Sequence, residues 1–353
     1  MRSVGIGTTG TLARWCGIGL GAVLLTAALF AAPARCEDAA PIDPRKGTVR
    51  LYVSLATDAT TRLVHALRRH FPNLAIEFVR AGSVETVRRF AAERQAGRIS
   101  ADLLHGADPG GFEYFAAKGW LDGRLAQPSL LQSFRPGFYD RDAGWVALRA
   151  TGIAPMYNTQ LVKPADVPTT WNELTEPKWK GRLAISDPTR AGSSFSHLFA
   201  MWKLYGAEYL EKLARNEVFI AGDGTATRNA VAQGERDLAP VSEYDAFRIK
   251  QEGSPVDVAW VKDGTVMVPA PLALVKDSPN NADALALAEY MLSREGQEIV
   301  SDVIKSWSAR VDVKTPQGKP DLDAIPLAHV DWGKAATEKG QLLGLYFKYF
   351  QSR

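Results

Sequence analysis

The sequence predicts an α/β fold of two lobes with a ligand cleft between them. Three observations lead there. Two strand–Ala-Gly-Ser–helix units stand roughly a hundred residues apart. The region after the N-terminal apolar run opens in a βαβαβ order, which builds a parallel sheet with its ligand loops at the carboxyl ends of the strands. Two later apolar runs read as crossings from one lobe to the other and back.

In the second unit, Leu183-Ala184-Ile185 reads as a short buried strand. After it, Phe195, Leu198, Phe199 and Trp202 fall at i, i+3, i+4 and i+7, one apolar helix stripe. The turn between them, Asp187-Pro188-Thr189-Arg190-Ala191-Gly192-Ser193-Ser194, leaves backbone N–H groups without partners at a helix start. Those donors, and the positive end of the helix dipole, favour an anion. Gly192, Ser193 and Ser194 are therefore candidate ligand residues, and Arg190 adds a charge nearby. A plain serine N-cap is the structural alternative. In the first unit, the strand Ala75-Ile76-Glu77-Phe78-Val79 runs through Arg80 into Ala81-Gly82-Ser83, and a helical pattern follows with Val84, Val87 and Ala91 on one side. Gly82 and Ser83 would face the cleft from the opposite lobe, where a small ligand fits.

The N-terminus reads as a cleaved secretory signal over residues 1–34. Arg2 and Arg14 precede an apolar run over residues 18–32, and Ala32-Pro33-Ala34 supplies a cleavage pattern. The run is short for a spanning helix of roughly 20 residues. Export to the periplasm is the expectation. Of the two cysteines, Cys16 lies in the signal and Cys36 at its edge, so an internal disulfide is excluded. Arg35 stands where a lipoprotein signal needs a small residue before Cys36. The net charge of +3 is mild and unclustered, which does not suggest nucleic acid. Five scattered histidines make no metal site, no GxSxG, Walker or HExxH motif occurs, and no cofactor is expected. A serine nucleophile at Ser193 or Ser194 would need a base in reach. His197, on the same helix, points along it rather than back over the turn.

Taken in order, Val49-Arg50-Leu51-Tyr52-Val53 is the first strand and delivers Ser54 and Thr57 to its carboxyl end. A helix follows, burying Leu63, Val64, Leu67 and Phe71. Ala101-Asp102-Leu103-Leu104-His105 is a third strand, with Asp108 in its outgoing loop or capping the next helix. Trp145-Val146-Ala147-Leu148 is a strand interrupted at Arg149-Ala150-Thr151-Gly152 and resumed at Ile153, the first crossing into lobe two. Val218-Phe219-Ile220 leads to Gly222-Asp223-Gly224-Thr225, and the strand ending at Val241 delivers Ser242-Glu243-Tyr244-Asp245 to the same edge. Residues 266–275 return to lobe one, and two helices follow over residues 281–292 and 295–304. Lobe one thus comprises residues 47–150 and 265–310, lobe two residues 151–264, and residues 311–353 form a C-terminal extension.

The order and spacing of several segments resemble the periplasmic solute-binding proteins of ABC importers, in particular the iron(III)-type extracellular solute-binding family. These segments are Arg80-Ala81-Gly82-Ser83, Ala101-Asp102-Leu103-Leu104, Trp171-Asn172-Glu173-Leu174 with Trp179-Lys180-Gly181, Asp187-Pro188 with Ala191-Gly192-Ser193, Gly234-Glu235-Arg236-Asp237-Leu238, and Glu289-Tyr290-Met291-Leu292-Ser293 with Gly296-Gln297. The resemblance covers roughly residues 49–310. It implies a type II-like two-lobed periplasmic-binding-protein fold, a monomer that closes like a flytrap on one solute, and a partner permease in the inner membrane. Iron-binding members carry adjacent tyrosines where this chain has Ser242-Glu243-Tyr244-Asp245, with one tyrosine only. Other members take phosphorylated or phosphonate solutes, which two Gly-Ser helix starts suit better. The favoured expectation is a small anionic solute held by Ser54, Thr57, Gly82, Ser83, Asp108, Thr151, Gly192, Ser193, Ser194, Thr225 and Tyr244. A ferric-iron binder of the same family and a periplasmic ligand sensor for a two-component system are the alternatives.

Overall fold

The computed structural model describes residue 43 and residues 45–351. The expected signal segment, with Cys16 and Cys36, lies outside the described residues. The first elements alternate: β1 (Thr48–Val53), α1 (Thr57–Leu67), β2 (Ala75–Arg80), α2 (Ser83–Gln95), β3 (Leu103–His105) and α3 (Pro109–Ala117). β1 pairs in parallel with β2 on one side and β3 on the other, with Leu51 opposite Phe78 and Leu103. α1 buries Ala59, Leu63, Val64, Ala66 and Leu67, the stripe that helical spacing dictates. Short pieces follow, β4 (Leu121–Asp122), α4 (Pro128–Leu131) and β5 (Tyr139–Asp140), leading into the long β6 (Trp145–Asn158).

The next group is β7 (Ala184–Ser186), α5 (Gly192–Tyr205), α6 (Ala207–Arg215), β8 (Phe219–Ala221), α7 (Gly224–Ala232), β9 (Leu238–Ser242), α8 (Glu243–Gln251) and β10 (Val256–Val258). The chain returns through β11 (Thr265–Val275) to α9 (Asn281–Leu292) and α10 (Arg294–Ile304), and ends in β12 (Leu327–Ala328), α11 (Gly333–Thr337) and α12 (Lys339–Tyr346).

β6 and β11 are the seam of the molecule. They pair antiparallel from Val266 opposite Ile153 to Ala273 opposite Trp145, with one irregularity between Ala270 and Pro271. The main sheet runs β10-β6-β11-β3-β1-β2 through them, so strands of both halves share one hydrogen-bonded path. Two apolar cores flank the seam. Val146, Leu148, Leu272 and Leu274 pack with β1, α1, α9 and α10 in the first. Ile153, Val266 and Val268 pack with Trp171, Trp179, Leu198, Phe199 and Leu210 in the second. The expected break at Arg149–Gly152 does not occur: β6 is a single strand of 14 residues. Polar Arg149 and Thr151 stay in the strand because they hydrogen-bond to each other there.

The C-terminal segment is not a separate appendage. Leu322 and Ile325 lie in the first core, while Ala328, Ala335, Leu342 and Tyr346 lie in the second. Between them the Lys319 ammonium is buried 2.6 Å from the Glu243 carboxylate, over the Trp307 ring.

Candidate functional site

A cavity of about 350 Å³ opens where the strands end. Ser54 and Ala56 after β1, Arg80 at the end of β2 with Ala81 to Ser83 after it, Glu85 and Arg88 on α2, and Ala107 after β3 line one side. Ser186 at the end of β7 with Thr189 to Ser193 after it, Asp223 to Thr225 after β8, Pro240 to Ser242 at the end of β9, and Tyr244 and Asp245 at the start of α8 line the other. Arg149 reaches it from the seam strand. This is the crevice at the carboxyl ends of strands where open α/β sheets bind ligands.

Five helices begin on this cavity, with N-cap residues Ala56, Gly82, Ala191, Asp223 and Ser242. Only Asp223 caps its own helix by side chain, accepting from the Ala226 amide at 2.9 Å. The starts of α1, α2, α5 and α8 carry no side-chain cap. Their first-turn amides lack intrahelical acceptors, and they point with the dipole's positive end toward the ring of N-caps.

The two Ala-Gly-Ser turns meet each other. A Cβ on Gly192 would stand 2.6 Å from the Ala107 carbonyl oxygen and 2.9 Å from the Ser83 Cβ. A Cβ on Gly82 would stand 2.9 Å from the Arg190 carbonyl oxygen. Gly82 has an ordinary φ of −62°, so close approach rather than backbone freedom explains the glycine.

Of the residues expected from sequence, Ser54, Gly82, Ser83, Gly192, Ser193, Thr225 and Tyr244 line the cavity, and Thr57, Asp108, Thr151 and Ser194 do not. Thr57 sits one residue beyond Ala56, exposed on α1. Asp108 caps α3, accepting from the Gly111 amide at 3.2 Å, and faces Lys339 at 3.5 Å in a separate groove against α11. The Thr151 hydroxyl is bonded by the Arg149 guanidinium inside β6. The Ser194 hydroxyl donates to the Ser186 carbonyl at 2.5 Å, tying α5 to the end of β7. Even Ser83 is partly engaged, its Oγ accepting from the Ala107 amide at 3.3 Å.

Sequence reading missed Arg149. It is buried at 2% exposure, its guanidinium carbon lies 4.6 Å from the Tyr244 ring centroid, and its Nε donates to His105 Nε2 at 3.4 Å. His105 Nδ1 is 2.8 Å from the Pro271 carbonyl. Burial first, and then the Arg149 charge, push the imidazole pKa down to about 3, so the ring is neutral, with Nδ1–H donating and Nε2 accepting. An arginine inside an apolar strand was the available signal, and it reads from sequence as a strand break.

The carboxylates on either side of Tyr244 are already paired. Asp245 accepts from Arg228 at 2.9 Å. Glu243 is fully buried and accepts from Lys319 at 2.6 Å and from the Gly152 amide at 2.7 Å. Burial, and then Asp245, raise the Tyr244 phenol well above its ordinary pKa, so it stays a phenol. Among the described residues, no group of three or more His, Cys, Asp and Glu is placed to hold a metal ion. His197 is fully buried beside Trp171, 4.8 Å between ring centroids, with neither ring nitrogen partnered. It forms no hydrogen bond with Ser193 or Ser194.

Residues 99–337, more than half of the chain, match the family model described as bacterial extracellular solute-binding protein. The chain is 27% identical over 207 residues to the spermidine/putrescine-binding periplasmic protein of Escherichia coli (strain K12), a match covering 55% of this chain and 59% of that protein. It is 25% identical over 255 residues to the putative 2-aminoethylphosphonate-binding periplasmic protein of Salmonella typhi, covering 68% and 71%. The chain thus spans less than two thirds of the first relative's length. Among solved structures it is similar to the periplasmic binding protein AfuA of Actinobacillus pleuropneumoniae, solved with fructose-6-phosphate, at a TM-score of 0.78 and 21% identity, covering 88% of this chain and 100% of that one. These proteins are binding proteins, not enzymes. The strand-end crevice, the two cores across one seam and the matched span lead to one conclusion: the chain belongs to the bacterial extracellular solute-binding protein family and has the two-lobed fold of periplasmic binding proteins.

Proposed function

We propose that this protein is the periplasmic solute-binding component of an ABC transporter and captures a small organic phosphate or phosphonate in the cleft. The observation that carries the reading is the convergence of four uncapped helix starts on one cavity. A phosphoryl or phosphonyl group presents several strong acceptors to those amides, and hydrogen bonds to a charged group are worth about 1.5–3 kcal/mol each. Asp223 also lines the cavity, and the carboxylate oxygen that does not cap α7 is available to meet an amine or hydroxyl of the solute.

Ferric iron is disfavoured. Tyr244 is a lone phenol beneath a guanidinium, and its neighbour Glu243 is held by Lys319. Adding ferric citrate is expected to give no ferric–tyrosinate band, and a band lost in Tyr244→Phe would overturn that. The bound solute would pass to a permease in the inner membrane. Export is checked by N-terminal sequencing of the mature protein, expected to begin near Arg35 or Glu37; an intact Met1 would count against it.

The direct test is native mass spectrometry of the purified mature protein, then thermal-shift titration with methylphosphonate, 2-aminoethylphosphonate, inorganic phosphate, putrescine and ferric citrate. A ligand at a hundred times its Kd stabilises by about 2.7 kcal/mol. Stabilisation by the phosphorus anions is expected; stabilisation by putrescine or ferric citrate alone would overturn the reading.

A further inference from the structure

Arg149 is a buried cation facing a cavity, and the two carboxylates on either side of Tyr244 are taken by other cations, while Glu85 and Asp223, which also line the cavity, make no ion pair with it. Asp245 pairs with Arg228 and Glu243 with Lys319. Among the described residues, no carboxylate lies within salt-bridge distance of Arg149. A guanidinium has five N–H donors in a planar fork. Here Nε donates to neutral His105 and Nη1 to Thr151, both uncharged acceptors, and the flat face lies on the Tyr244 ring. The charge is thus held by hydrogen bonds and stacking but not neutralised. Leaving such a group out of water is costly unless an anion completes it. The remaining N–H donors are those of a side chain that lines the cavity between the helix starts.

We infer that Arg149, held from behind by His105 and Thr151 and from one face by Tyr244, is the residue that selects an anion in this cleft, through a forked contact with the solute's phosphoryl or phosphonyl oxygens. The inference rests on the anionic-solute reading and deepens it, because the same cation disfavours any positively charged solute at that spot. His105 is a positioning residue: its acceptor nitrogen faces Arg149 only while its other nitrogen donates to the Pro271 carbonyl. A lysine cannot reproduce the fork, since its ammonium is a point charge on a flexible stem.

The test uses methylphosphonate as probe, with calorimetry on the wild type, Arg149→Met and Arg149→Lys, and melts without ligand to confirm folding. Arg149→Met should bind at least tenfold more weakly, with Arg149→Lys in between. If Arg149→Met does not fold, Arg149→Lys decides alone, and a loss of about fivefold or more is expected. Binding within twofold of wild type by a folded Arg149→Met, or by Arg149→Lys where Met does not fold, overturns the inference and leaves the anionic-solute reading standing. A wild type that ignores methylphosphonate and inorganic phosphate, or that prefers putrescine, overturns the anionic reading and this inference with it. His105→Leu should weaken binding and His105→Gln should restore part of it, a pattern that loss of packing alone would not give.

Discussion

Ser193 and Ser194 are identical neighbours that do different things. Successive residues of a helix point about 100° apart. One hydroxyl therefore meets the cavity while the other turns back to the Ser186 carbonyl. Ser193→Ala should weaken methylphosphonate binding by about tenfold, the equivalent of about 1.4 kcal/mol, with little change in the ligand-free melt. Ser194→Ala should do the reverse, destabilising by about 1–3 kcal/mol because a buried carbonyl loses its donor. Calorimetry beside ligand-free melts separates the two, and a swapped pattern would refute the assignment. The sequence identified a Ser-Ser helix start as a candidate site, but the direction of each hydroxyl depends on where β7 ends relative to α5. Arg149 was illegible for a related reason: its acceptor His105 is 44 residues away in sequence, and only the sheet brings them together.

At the scale of elements, the order of strands and helices was largely readable, because apolar periodicity is local. β1 through β3, α9 and α10 follow the pattern in the sequence closely. The C-terminal segment was not readable. It has a strand of two residues and a helix of five, too short for any period to show, before the eight-residue α12, and it is held by distant contacts. The firmest of these is Lys319 against Glu243, the first residue of α8 and neighbour of the cavity residues Ser242 and Tyr244. Lys319→Met would leave a buried carboxylate unpaired, costing about 3–5 kcal/mol. Adding Glu243→Gln should recover most of that loss, since the uncompensated charge is then gone. Urea melts of the single and double variants check this. Equal stability of Lys319→Met and wild type would show that the pair does not hold the segment in place.

At the scale of the molecule, two cores share one seam, and each half carries a fully buried neutral histidine, His105 in β3 and His197 in α5. Burial lowers both pKa values to about 3, with the Arg149 charge adding to the effect at His105. In the unfolded chain both rings titrate near 6.5. Between pH 6.5 and about 3 the unfolded state therefore binds protons that the folded state does not, so stability rises with pH across that window. It is complete above about pH 6.5 and is lost as the pH falls. Each histidine contributes a slope of about 1.4 kcal/mol per pH unit. Carboxylates with lowered pKa, such as Asp122 beside Arg124, act only at lower pH than the histidines. Glu243 and Glu113, both raised by burial, act in the opposite sense, and equally in the wild type and in His197→Leu, so the difference between the two curves belongs to His197. His197 has no hydrogen-bond partner to lose, so His197→Leu removes one titrating ring at small packing cost. The expected result is a melting temperature that falls steeply from pH 6.5 to 4.5 in the wild type and less steeply in His197→Leu, with the two curves converging near neutral pH. Parallel curves would mean that His197 takes up its proton in the folded protein, and that the second core admits water at this ring.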